Sequence, residues 1–199
     1  MFYCIIFGYF SILSEAYAES RFLIYDRHKE ISPHFEFEDS ELRQYAISYF
    51  NIITTYHESV ISLGDNVNLL VVERKGLFDG GVFSAAAMSI FKMNGVTRKI
   101  DANNIKRKGC GVVLFYDYNA INSSYLLIDS DISFSDKIRC FNDGIARSFG
   151  FTIKDESFPS FMIQPATMIA VALADKCSKE ENFKLCLDAK IREIYSLFK

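Results

Sequence analysis

The sequence lacks most of the patterns that mark catalytic and metal-binding chains. Its three histidines include no His-Glu-x-x-His, because His57-Glu58 is followed by Ile61 where the second imidazole would stand. That helix is therefore no zinc site of the two-histidine kind. No Gly-x-Ser-x-Gly elbow surrounds Ser133 or Ser135, which read as helix N-caps rather than nucleophiles. No Cys-x-x-Cys pair points to four thiolates on one zinc. There is no internal repeat and no low-complexity linker. The formal charge is −3, too near neutral for nucleic acid to be the main partner. The one basic stretch, Arg98, Lys99, Lys106, Arg107 and Lys108, reads as a solvated loop before a strand. No segment after the first residues reaches the length of a transmembrane helix, so no stable membrane span is expected in the mature chain.

What is present fits one globular domain: half of the residues are apolar, and a chain of this length buries a sizeable core. Residues 1–18 read as an export signal. The apolar run Met1 to Leu13 is too short to span a bilayer, and Ala16-Tyr17-Ala18 carries small residues where a signal peptidase requires them. Phe2 and Tyr3 before Cys4 argue against lipidation there. The expected mature unit is residues 19–199, a single exported domain of the periplasm or extracellular space.

The most informative stretch runs from Cys110 to Met162. An apolar strand, a second strand and a helix ending in Phe149-Gly150-Phe151 follow one another, with Ile138, Phe141, Ile145 and Phe149 at helical spacing and Gly150 at the helix stop. In zincins the corresponding helix carries His-Glu-x-x-His, residues four apart presenting two imidazoles to zinc with the Glu as general base. Aligned by its ending, this helix offers Asp143, Gly144 and Arg147. A guanidinium cannot ligate zinc, and Gly144 has no side chain to activate water. The stretch resembles a degenerate zincin-like scaffold without its metal ligands.

A narrower resemblance rests on Gly109-Cys110-Gly111-Val112-Val113, on Cys140 to Phe151, and on Asp188-Ala189-Lys190-Ile191-Arg192-Glu193-Ile194-Tyr195. These segments are similar to those of the exported bacterial domain-of-unknown-function family 2927, in which a Cys-led strand precedes a Cys-led helix of the form Glu-Glu-x-x-Gln-x-Leu-Gly-Leu. Asp143 and Gly144 replace that family's two Glu residues, and Arg147 replaces its Gln. The family carries no established activity, so the resemblance implies a fold and an exported location.

Export makes the space oxidising and leaves four cysteines, Cys110, Cys140, Cys177 and Cys186, for which two disulfides are the default. Cys110 with Cys140 would tie the strand to the motif helix and contribute about 3–4 kcal/mol in the chain-entropy model. Cys177 with Cys186 conflicts with a capping box at Ser178 and Glu181. A helix starting there would hold the two Cα atoms about 12–14 Å apart, beyond disulfide reach. The disulfide is preferred, with residues 178–184 in a loop and the last helix starting near Leu185.

In the first half, Leu42, Tyr45, Tyr49, Ile52, Tyr56, Val60 and Leu63 form a stripe of spacing three and four over Glu41 to Leu63, capped by Ser40 and stopped by Gly64. This predicts an amphipathic helix. Val67 to Glu73, Cys110 to Asp117 and Tyr125 to Asp131 read as strands. Phe83 to Met93 reads as a helix after the Asp79-Gly80-Gly81 turn, and Phe22 to Phe37 as a source of edge strands. Together these predict an α+β domain, a mixed sheet backed by helices and stabilised by disulfides.

Asp129 and Asp131 alternate along a strand, where they would point the same way and offer a cation or acid/base site; solvated strand-end carboxylates are the plainer reading. His28 and His34 lie in a polar stretch, where solvated imidazoles are ordinary, unless His34 meets His57 in space. Asp143 and Arg147, four apart with the acid first, suit a helical ion pair worth about 0.2–0.5 kcal/mol. Two classes of function follow. The first is a non-catalytic, peptidase-like binding module of the envelope, with Arg147 and Asp143 contacting a protein or peptide ligand and no cofactor or metal. The second is a hydrolase with an unorthodox site built from Asp129, Asp131 and Asp143, with an imidazole from His34 or His57.

Overall fold

The computed structural model describes residues 22–24, 31–56, 67–80, 82–96, 109–117 and 120–153, with single positions at 177, 181, 182, 185, 186 and 189. The export signal, His28, His57, the basic stretch, Ser178, the stretch 154–162 and, apart from Ala189, the motif from Asp188 to Tyr195 lie outside the described residues. Strands are β1 (Phe22–Ile24), β2 (Pro33–Phe37), β3 (Leu69–Arg74), β4 (Phe78–Asp79), β5 (Val82–Phe83), β6 (Cys110–Asp117), β7 (Ala120–Asp129) and β8 (Phe151–Ile153). Helices are α1 (Ser40–Tyr56), α2 (Ala85–Met93) and α3 (Phe134–Ser148). The class is α+β, with a mixed sheet backed by helices.

The main sheet has the order β2-β3-β7-β6. The first three strands run parallel, and β6 runs antiparallel to β7. Inner strands buried on both faces read as continuous apolar runs, and Leu69, Leu70, Val71 and Val72 of β3 are all buried. Alternation divides them between two cores. Leu69 and Val71 join Leu126 and Ile128 beneath α1 and α3. Leu70 and Val72 join Tyr125 and Leu127 beneath α2 and the β4–β5 hairpin.

Phe141 of α3 centres the first core. Its ring lies 5.9 and 5.3 Å from those of Tyr45 and Tyr49 on α1, both edge-on, and 6.4 Å from that of Phe37. Burying such a ring contributes about 1.5–3 kcal/mol, and edge-to-face pairs add to it.

Several boundaries differ from expectation. Asp39, not Ser40, caps α1: its Oδ1 accepts the N–H of Glu41 at 2.9 Å and of Leu42 at 3.1 Å, and a carboxylate there also meets the positive end of the helix dipole. The buried stripe is Leu42, Ala46, Tyr49, Phe50 and Ile53, while Ile52 is exposed. Ile52 and Ile53 are equally apolar, and only packing against the sheet decides between them. A two-strand hairpin takes up Phe83, so α2 begins at Ala85 under its Ser84 cap. The third predicted strand starts earlier and ends earlier, at Ala120 and Asp129.

Both expected disulfides are present, Cys110–Cys140 with Cα atoms 5.8 Å apart and Cys177–Cys186 at 5.6 Å. Leu185 and Cys186 are helical. Asn182 caps them by accepting the Leu185 N–H at 3.1 Å. No described helix is long and apolar enough to cross a membrane.

Candidate functional site

Helix α3 organises the candidate site, and local chemistry fixes both of its ends. Ser133 Oγ accepts the Asp136 N–H at 3.2 Å and donates to Asp136 Oδ2 at 2.6 Å, which satisfies an otherwise orphan donor of the first turn. At the other end Gly150 takes a φ of 93° and returns its N–H to the Arg147 carbonyl at 2.9 Å. Only glycine reaches that left-handed conformation without strain.

Gly144 sits where this helix crosses β7. A Cβ built there would lie 2.5 and 2.6 Å from the two methyls of Leu126, so the helix backbone rests almost directly on that side chain. A side chain at position 144 would therefore have to displace Leu126. Four residues on, the buried Ser148 hydroxyl donates to the Gly144 carbonyl at 2.8 Å.

Asp143 and Arg147 lie on one flank of α3. Residues 140, 143 and 147 form a single stripe at helical spacing, and Cys140 is bonded to Cys110 of β6. The pair therefore faces the β6 side. Asn142 marks the opposite flank, accepting the Tyr45 hydroxyl of α1 at 2.8 Å. Burial pushes the Tyr45 hydroxyl pKa above its usual value, against the opposing hydrogen bond to Asn142.

Arg147 Nε lies 3.0 Å from Asp143 Oδ2, the two side chains being 19% and 12% exposed. The separation makes an ion pair, but among the described residues Nε has no hydrogen bond of acceptable geometry. The attraction is thus chiefly coulombic at this site, and the directional donors of the guanidinium are unspent on Asp143.

The other predicted residues do not converge. Asp129 ends β7 rather than alternating with Asp131 along it. Its Oδ1 accepts the Asp131 N–H at 3.0 Å and closes the turn into α3, while exposed Asp131 pairs with Lys75 at 3.4 Å. An Asx turn, not a cation site, explains this spacing. His34 is on β2, level with Leu70 and Tyr125, whereas Asp129 is level with Arg74. A strand and four residues of register separate the two. His34 is exposed and lies 3.4 Å from Glu36. Among the described residues no three His, Cys, Asp or Glu side chains gather as metal ligands would.

A buried charge cluster goes unannounced by any motif. Lys137 Nζ donates to Glu73 Oε1 at 2.8 Å and to Asp39 Oδ2 at 3.0 Å. Glu73, wholly buried at the end of β3, uses Oε2 to accept the N–H groups of Glu38 at 2.8 Å and Asp39 at 2.9 Å. Desolvation works to lower the Lys137 pKa, but hydrogen bonds and charge from Glu73 and Asp39 outweigh it and raise the value. Desolvation likewise works to raise Asp39, yet the Leu42 N–H and Lys137 hold it below the ordinary carboxylate range. With these partners the cluster binds β3, α1 and α3 together and leaves no group free for chemistry. The available signal was Lys137 on the apolar stripe four residues before Phe141, matched by a lone Glu73 ending an apolar strand.

Comparison of the chain with family models, with curated proteins and with solved structures gives no match.

Proposed function

We propose that this chain is a non-catalytic, peptidase-like binding module that takes an extended peptide or protein segment along the edge of β6, beside α3. The observation that carries the reading is Gly144. In a zincin-like scaffold its position would hold the general base, and here Leu126 occupies the space. The neighbouring ligand positions hold an ion pair, Asp143 with Arg147, in place of two imidazoles.

The edge of β6 supports the binding half of the reading. Among the described residues its only strand neighbour is β7. Gly109 accepts the Asp129 N–H at 2.8 Å, and antiparallel alternation from that pair turns the N–H and C=O of Val112 and Leu114 away from β7. Leu114 and Phe115 are half-buried, and Tyr116 is 44% exposed. An extended segment could add here as a further strand, main chain giving affinity and side-chain contacts giving selectivity. The two disulfides favour an oxidising compartment, in keeping with an exported module of the cell envelope.

The test uses the oxidised native chain and fluorescent ten-residue peptides, with anisotropy as the readout and mass spectrometry of the recovered peptide. The expected result is saturable binding that is lost when alternate peptide nitrogens are methylated in one phase and kept in the other, with the peptide uncut. Binding indifferent to both methylation phases, or a cleaved peptide, overturns the proposal.

A further inference from the structure

We infer that Arg147 anchors an acidic side chain of the ligand, so that the β6 edge selects extended peptides carrying Asp or Glu. This rests on the reading of β6 as the docking edge. The first support is placement. Gly144 meets Leu126 and Cys140 is bonded to Cys110, while Leu126 pairs with Val112 and Ile128 with Cys110. Helix α3 and strand β6 therefore run in the same sense from their disulfide. Arg147 lies seven residues beyond Cys140, an advance of about 10 Å, which three residues of strand match. The Arg147 backbone is thus level with Val113, and its side chain, drawn back toward Asp143, brings the guanidinium near the level of Val112, on the flank of the helix that faces β6.

The second support is unspent donor capacity. Asp143 neutralises Arg147 at Nε without a hydrogen bond, and neither Nη group hydrogen-bonds to a described residue. A guanidinium offers its N–H groups as a planar fork suited to a carboxylate. Here Asp143 restrains the stem and leaves the fork directed elsewhere. Because Arg147 is level with the middle of β6 rather than with its end, a peptide seated on the edge runs past it in both directions. That favours a side-chain carboxylate over a chain terminus.

The test compares two C-terminally amidated peptides differing only by Glu against Gln at one position scanned along the sequence, each with the native chain. At one position the Glu peptide should bind about tenfold tighter, as expected for a charge-assisted, bidentate contact. Arg147→Lys, which keeps the charge and loses the fork, should erase most of that preference. Equal affinities at every position, or a preference that survives in Arg147→Lys, overturns the inference. So does a preference seen only with a free terminal carboxylate. Sensitivity to alternate N-methylation alongside equal affinities would refute the acidic anchor and leave the docking edge standing. No binding by any peptide would refute both.

Discussion

The Cβ that Gly144 lacks would fall 2.5 Å from a methyl of Leu126, which makes the contact between α3 and β7 a backbone-to-side-chain contact. Alanine is favoured over glycine in a helix by about 1 kcal/mol, whereas overpacking a closed contact costs about 1–3 kcal/mol. Gly144→Ala should therefore destabilise by roughly 1 kcal/mol net, and adding Leu126→Ala should cost less than the sum of the two single changes. Urea unfolding of the three variants measures the coupling. A stabilised Gly144→Ala would show that the helix has slack over β7.

The Lys137 cluster predicts a dependence on pH from both sides. Asp39 titrates below the ordinary carboxylate value in the folded chain. Its contribution is in place above the unfolded value of about 3.9 and is lost as pH falls through the lower, folded value. Lys137 titrates above the ordinary lysine value. Its contribution is in place below about 10.4 and is lost as pH rises through the higher, folded value. Stability should therefore be flat between and fall at each extreme, and thermal unfolding across pH would display the plateau.

Composition of the same cluster can be separated from its charge. Lys137→Ala strands buried Glu73 and should cost about 3–5 kcal/mol, while Lys137→Met with Glu73→Leu removes the stranded charge but unpairs the N–H groups of Glu38 and Asp39 and should cost less, about 1–3 kcal/mol. Denaturant midpoints compare the two. Equal losses would mean that the N–H groups of Glu38 and Asp39, which Glu73 accepts, matter more than the ion pair.

Cys110–Cys140 closes a separation of 30 residues. Replacing both residues with Ala should lower stability by about 3–4 kcal/mol, and guanidinium unfolding of the oxidised protein against the double variant reads the difference. A loss below 1 kcal/mol would show that packing alone holds α3 to the edge of the sheet.

Ser124 Oγ is buried and has no hydrogen-bond partner among the described residues. Removing an unsatisfied hydroxyl recovers its desolvation cost, so Ser124→Ala should raise stability by about 1 kcal/mol. A clear loss in a thermal melt would indicate a partner for the hydroxyl.

Much of the fold was legible because its signals are local. The bounds of β6 follow from its apolar run, and Gly150 marks the end of α3 by residue type, whereas Ser133 and Ser135 both offered caps at its start and packing selects Ser133, with Ser135 inside the helix. Pairing Cys110 with Cys140 required only that the strand and the helix be neighbours. What escaped depends on partners distant in sequence. Asp39 and Ser40 are both good caps, and the choice between them rests on geometry shared with Glu73 and Lys137, 34 and 98 residues away. Gly144 read as a missing catalytic residue because a one-dimensional pattern carries no record of Leu126 lying across it. Asp129 and Asp131 looked like strand neighbours until the turn intervened. For Arg147 the spacing to Asp143 was visible, but its flank became visible only once the disulfide oriented the helix.

Strand β1 has its partner far along the chain, in β8: Phe22 pairs with Ile153 and Ile24 with Phe151. That pairing cannot form during synthesis until α3 and β8 have both emerged. It must then close a loop of well over a hundred residues, an entropic penalty that the earlier helices and sheet can reduce only by already being in place. Non-local closure of this kind slows folding relative to helical neighbours. The first described strand to be made is thus among the last able to settle, and an unpaired β1 would mark a chain whose main sheet and helices have formed but whose β1 and β8 have not yet met.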